Sequence, residues 1–146
     1  MSRRARVGLG VAALAVAVIA AVVTLMMRMA PPADLDLGRA RATAKGLYRV
    51  SIAPEAAAFD RATLHSWIAT VRTADDAPVE GATISIDGGM PQHGHGLPTA
   101  PAVTASLGDG RYRIEGVRFN MGGWWEFKLA IQAAAGQDDV TFNLDL

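Results

Sequence analysis

The stretch Trp125-Glu126-Phe127-Lys128-Leu129-Ala130-Ile131-Gln132 decides the fold. Its large apolar side chains fall on every second residue, with Glu126, Lys128 and Gln132 between them. A period of two places one set of side chains on each face of a β-strand, one face dry and one wet. The same alternation recurs nearby. Val140, Phe142 and Leu144 alternate with Thr141, Asn143 and Asp145, and Tyr48, Val50 and Ile52 alternate with Arg49 and Ser51. Further strands are predicted at Leu64 to Val71, Val79 to Asp87, Val103 to Leu107 and Arg111 to Phe119. Turn-forming residues separate them: Ala77-Pro78, Asp87-Gly88-Gly89, Gly108-Asp109-Gly110 and Ala135-Gly136-Gln137. Gly108-Asp109-Gly110 reads as a tight hairpin turn, since glycine supplies the positive φ such turns need. About seven short strands in roughly 100 residues predict an all-β, immunoglobulin-like two-sheet sandwich. No helix of useful length is predicted within it, except one turn at Pro54 to Phe59.

Upstream of the strands the pattern changes. Val7 to Met27 is an uninterrupted apolar run in which only Gly8, Gly10 and Thr24 are weak exceptions. About 20 such residues in a helix cross the hydrocarbon layer of a bilayer. Arg3, Arg4 and Arg6 precede the run, and the positive-inside rule places them in the cytoplasm and the rest of the chain outside. The expected organisation is a basic tail over 1–6, a transmembrane anchor over 7–29, a linker over 30–46 and a sandwich over 47–146. In a bacterium this is a single-pass inner-membrane protein with its domain in the periplasm. A cleaved leader is the rival reading, but Met27 and Arg28 fit a small-x-small cleavage site badly. Both readings deliver the domain to the same compartment. Pro31-Pro32 ends the helix, because proline lacks the amide donor.

Composition narrows the chemistry. The 14 basic and 14 acidic residues balance, which is not the footprint of a nucleic-acid binder. Without cysteine the chain has no disulfide framework, thiolate nucleophile or cysteine zinc site. There is no nucleophile elbow and no carboxylate pair in a glycine loop, so an enzyme is not expected.

One segment exceeds what sandwich building requires: Gly88-Gly89-Met90-Pro91-Gln92-His93-Gly94-His95-Gly96-Leu97-Pro98-Thr99. His93 and His95 are two residues apart, and in extended backbone such residues point to the same side. Met90 stands three residues before His93. A second loop, Asn120-Met121-Gly122-Gly123-Trp124, offers another methionine among glycines, with Trp124 expected to point outward beside Met121. Imidazole and thioether form a soft, neutral donor set, which suits copper and, through sulfur, Cu(I). Calcium and magnesium want oxygen ligands, and no carboxylate cluster occurs here. Glycine, proline and histidine are also ordinary loop residues, and a lone methionine is more often packing than ligand. His65, on the strand with Trp67, reads as a hydrogen-bonded structural histidine.

These residues carry a resemblance. Leu64-His65-Ser66-Trp67, Pro78-Val79-Glu80-Gly81-Ala82-Thr83-Ile84, Gly89 to Thr99, Gly108 to Tyr112 and Gly116 to Trp125 together resemble the YtkA-like domain. That group is similar to the periplasmic part of FixH-like proteins. The resemblance implies a role near copper delivery or the assembly of respiratory haem-copper oxidases, and it implies Met90, His93, His95 and Met121 as a joint copper site. The expected partners are a copper ion, the membrane through the N-terminal helix, and a membrane protein of oxidase assembly, with no nucleic acid. The competing expectation is a periplasmic protein-interaction module without metal, docking through the glycine-rich loop and Trp124.

Overall fold

The computed structural model describes residues 13–26 and 31–146, and gives the helical backbone alone for 3–12 and 27–29. The chain divides into two units, Met1–Ala33 and Asp34–Leu146. The first contains one helix, α1 (Arg3–Met29). Leu14, Val16, Val18, Ile19, Val22, Val23, Leu25 and Met26 are all exposed on it. Among the described residues no helix is long and apolar enough to cross a membrane. The remainder of the anchor expected over 7–29, and the basic tail expected over 1–6, lie outside the described residues.

The second unit is a β-sandwich of nine strands: β1 (Ala40–Ala42), β2 (Tyr48–Pro54), β3 (His65–Thr73), β4 (Thr83–Met90), β5 (His95–Gly96), β6 (Ala102–Gly108), β7 (Arg111–Val117), β8 (Trp124–Ala133) and β9 (Gly136–Asp145). One sheet has the order β1-β2-β3-β7-β6 and the other β5-β4-β8-β9, with every pairing antiparallel. The alternation in β8 is realised directly: Trp125, Phe127, Leu129 and Ile131 are all sealed in the core. Several of their cross-strand partners are equally apolar. Phe127 faces Phe142 and Leu129 faces Val140 in β9, while Ile131 faces Ile84 in β4. Trp67, Ala69 and Val71 of β3 supply the opposing layer with Tyr112 and Ile114 of β7. Each large side chain so buried contributes about 1.5–3 kcal/mol from desolvation.

Both tyrosines act as straps. The Tyr112 hydroxyl donates to the Val79 carbonyl (2.6 Å) and accepts from the Ala82 amide (3.0 Å), tying β7 to the lead-in of β4 in the other sheet. The Tyr48 hydroxyl donates to the Gly136 carbonyl (2.6 Å) at the β8–β9 turn.

Three details depart from the sequence-based expectations. The stretch 30–46, expected as a linker, contributes β1, and Arg41 within it and Arg39 just before it turn onto the sandwich. The Arg41 guanidinium lies over the Phe142 ring (5.5 Å) and donates to the Thr141 carbonyl, and Arg39 lies over Trp67 (5.3 Å). Long arginine stems cover apolar surface that a count of aromatic residues does not register. The strand expected from Val79 begins instead at Thr83 and runs on to Met90, because Val79 is held by its amide to the Val71 carbonyl. Residues 55–58 bend rather than form a helical turn, since Pro54 pairs with Trp67 and the Glu55 amide donates to the Ser66 carbonyl.

Candidate metal site

The glycine-rich segment folds as the β4–β5 hairpin. Gly89 allows its strands to close, and Gly88 allows β4 to close on β8. A Cβ on Gly89 would lie well inside 3.0 Å of the His95 carbonyl oxygen, and one on Gly88 equally close to the Glu126 carbonyl oxygen. Residues 91–94 form the turn, with the His93 and Gly94 amides both donating to the Met90 carbonyl (3.1 and 2.9 Å). Gly94 takes a positive φ of 64°, which suits a residue without a Cβ. His93 therefore sits in a turn rather than in extended backbone, and His95 opens β5. Their exposed rings nonetheless lie nearly parallel, centroids 6.2 Å apart and planes inclined by 18°.

Met90 faces His95 across the β4–β5 ladder, but its own side chain is only 2% exposed and belongs to the core. Its methyl carbon lies 3.5 Å from the place a Cβ would take on Gly123, so the hairpin and the 120–123 loop meet at this side chain. Met121 is half-buried and packs against the core, and its carbonyl accepts the Trp125 indole N–H (3.1 Å). The structure thus brings His93 to His95, and Met90 to the second loop, with the methionines on the core side and the imidazoles on the wet side. Trp124 is half-buried rather than free, its indole N–H donating to Asn143 Oδ1 (3.0 Å).

A shallow cleft of about 450 Å³ beside the hairpin is lined in part by Asp87, His95, Glu126 and Lys128. Lys128 is ion-paired with Glu126 (2.8 Å), and that hydrogen bond holds its ammonium above the usual lysine value despite partial desolvation. Among the described residues no three histidine or carboxylate side chains converge as a metal-holding group.

His65 is more unusual than its sequence context indicates. Its Nδ1 is 2.9 Å from the Thr63 carbonyl, and its ring stacks on Phe59 (4.3 Å) and leans on Phe119 (5.6 Å). The other ring nitrogen, Nε2, is buried without a hydrogen-bond partner. An unsatisfied buried polar atom costs about 1–3 kcal/mol. The motif Leu64-His65-Ser66-Trp67 gives no sign of this, because the orphaned atom depends on the loop that folds over the ring.

A family model described as YtkA-like matches residues 46–130. No curated protein and no solved structure matches the chain. The matched span holds the β4–β5 hairpin, the 120–123 loop and the Tyr112 strap, and the chain belongs to the YtkA-like family.

Proposed function

We propose that this chain is a membrane-anchored periplasmic copper-binding protein that carries the ion or hands it over during assembly of a respiratory oxidase or another copper protein. The observation that carries the reading is the hairpin itself: His93 and His95 present near-parallel imidazoles, while Met90 stands opposite His95 in the ladder and reaches the Met121 loop. Neutral nitrogen and thioether donors suit Cu(I) as cargo, and carboxylate-seeking ions gain little from them. The exposed imidazoles meet the arriving ion, and the Met90 side chain is buried on the apolar side. The order β2-β3-β7-β6 against β5-β4-β8-β9 follows the two-sheet immunoglobulin-like scheme, so the fold is read as that type. The anchor reading is supported by the apolar side chains exposed all round α1, as in helices that lie in lipid, and by Arg3, Arg4 and Arg6 ahead of them.

The test is anoxic Cu(I) titration of the full chain in detergent micelles against a coloured Cu(I) chelator. Saturable uptake is expected, weakening at acid pH because imidazole must be deprotonated to ligate. The double variant His93→Ala/His95→Ala should lose more than the roughly 10–100-fold that removal of an outer-shell partner costs. Both rings are exposed, so its stability should stay within about 0.5 kcal/mol of the wild type. Wild-type protein that takes up no copper ends this reading.

A further inference from the structure

We propose that the end of the sandwich capped by the 55–64 loop docks on the lipid surface of the membrane, an inference that rests on the anchor reading above. Among the described residues of this unit only two large apolar side chains are exposed, Leu64 (67%) and Leu37 (46%). Leu64 closes a loop in which Ala56, Ala57, Ala58 and Ala62 are also exposed and Phe59 is half-buried. One exposed leucine is ordinary, but apolar side chains gathered on one loop mark a surface that meets something apolar.

Strand register puts these residues at the end where the chain enters. β2 stops at Pro54, opposite Trp67, and β3 starts at His65, so the loop caps that end. β1 begins at Ala40 opposite Ser51, towards the same end of β2, and Arg39 just before it lies over Trp67 (5.3 Å). The Asp36 carbonyl accepts from the Asn143 side chain (3.0 Å) near the close of β9, which brings Leu37 there as well. The stretch 30–39 between the expected anchor and β1 has ten residues, which reach at most about 36 Å when extended. A lipid surface is therefore within reach of this end. The opposite end, with the turns at 74–76 and 108–110, exposes Asp75, Asp76 and Asp109 and no large apolar side chain.

Charge favours lipid as the occupant. Arg61 and Arg118 are exposed beside the loop, joined through the Phe119 amide, which donates to the Arg61 carbonyl (2.8 Å). Among the described residues no carboxylate pairs with either arginine. The loop's own acids are engaged: Glu55 pairs with Arg113, and Asp60 accepts from the Ala62 amide (2.9 Å). An apolar tip with arginines on long stems beside it suits the boundary between acyl chains and phosphates. The 91–94 turn belongs to the same end, since Met90 meets Gly123 on the loop that follows β7. Docking therefore brings the exposed His93 and His95 rings to the lipid surface.

The chain has no cysteine, so single-cysteine spin labels can be placed at will on the full chain in phosphatidylethanolamine–phosphatidylglycerol liposomes. Three positions are read by power saturation against oxygen, which enters lipid, and a nickel chelate, which stays in water. They are Ala57→Cys on the loop, Asp75→Cys at the opposite end and Val18→Cys on α1. Oxygen should relax the labels at 57 and 18 more than nickel does, and the order should reverse at 75. Adding Leu64→Glu to the Ala57→Cys chain should return the label at 57 to water; a label that stays in lipid is holding itself there, and overturns the proposal. A label at 57 as open to nickel as that at 75, with 18 in lipid, also overturns it, leaves the anchor standing and gives the loop to a protein partner. An aqueous label at 18 as well overturns both.

Discussion

Replacing Gly89 by alanine should detach the β4–β5 hairpin, and replacing its partner Gly96 should not. The two glycines face each other across the ladder. An added Cβ at Gly89 collides with the His95 carbonyl oxygen and lies 3.2 Å from Gly96 Cα, all of it backbone that no rotamer change relieves. At Gly96 the nearest atom is the Gly88 carbonyl oxygen at 3.8 Å, an ordinary contact. Relief at Gly89 requires β5 to retreat by several tenths of an ångström. That retreat breaks the β4–β5 pairing and weakens the Leu97 amide bond to Gly88 (3.1 Å). Two such bonds at about 0.5–1.5 kcal/mol each give a loss of roughly 1–3 kcal/mol. With m about 1–1.5 kcal/mol/M in urea, the midpoint should fall by roughly 0.7–3 M. Gly96→Ala should be neutral or gain up to about 0.5–1 kcal/mol, as glycine within a strand loses more backbone entropy on folding. Urea titration followed by tryptophan fluorescence gives both midpoints, and amide exchange at His93, Gly94 and Leu97 reports the hairpin itself. Equal midpoints and equal exchange rates for the two variants would refute the claim that close backbone approach holds the hairpin.

Asp138 offers a pH test. Burial alone would raise its carboxyl, but the Thr43 side chain and the amides of Lys45, Asp139 and Leu47 outweigh it and hold the group at about 2, below the ordinary 3.8. A depressed carboxyl contributes stability above its unfolded value and loses it as pH falls through the folded one. The thermal midpoint of the wild type should therefore drop between about pH 4 and pH 2, and Asp138→Asn should be less stable near neutrality with a flatter acid limb; parallel curves would count against it. Tyr112→Phe removes the hydroxyl that joins Val79 and Ala82 while leaving the ring in place. It should cost about 1–3 kcal/mol in urea unfolding, and an unchanged midpoint would show that this strap is dispensable.

Much of the fold is legible in the chain because a strand buried on one face repeats its demand every two residues. Trp125, Phe127, Leu129 and Ile131 meet that demand without reference to any distant partner. The same parity would have flagged Asp138, which lies in phase with Val140, Phe142 and Leu144 and is only 1% exposed. β1 and β5 are illegible for the opposite reason. With three and two residues they have no period to show, and they exist because β2 and β4 offer open ladder groups to chain that happens to pass.

The candidate site divides along the same line. Sequence alone picks out Met90, His93, His95 and Met121, because soft donors among glycines are a matter of composition. It cannot say that Met90 turns into the core, that Trp124 is tied to Asn143, or that the hairpin meets the second loop at Gly123. Least of all can it find the bare nitrogen of His65. The Thr63 carbonyl two residues away takes the other ring nitrogen, and the rings of Phe59 and Phe119 pack against the imidazole. Periodicity is written locally, residue by residue, whereas the satisfaction of a single polar atom depends on every segment that folding brings to it.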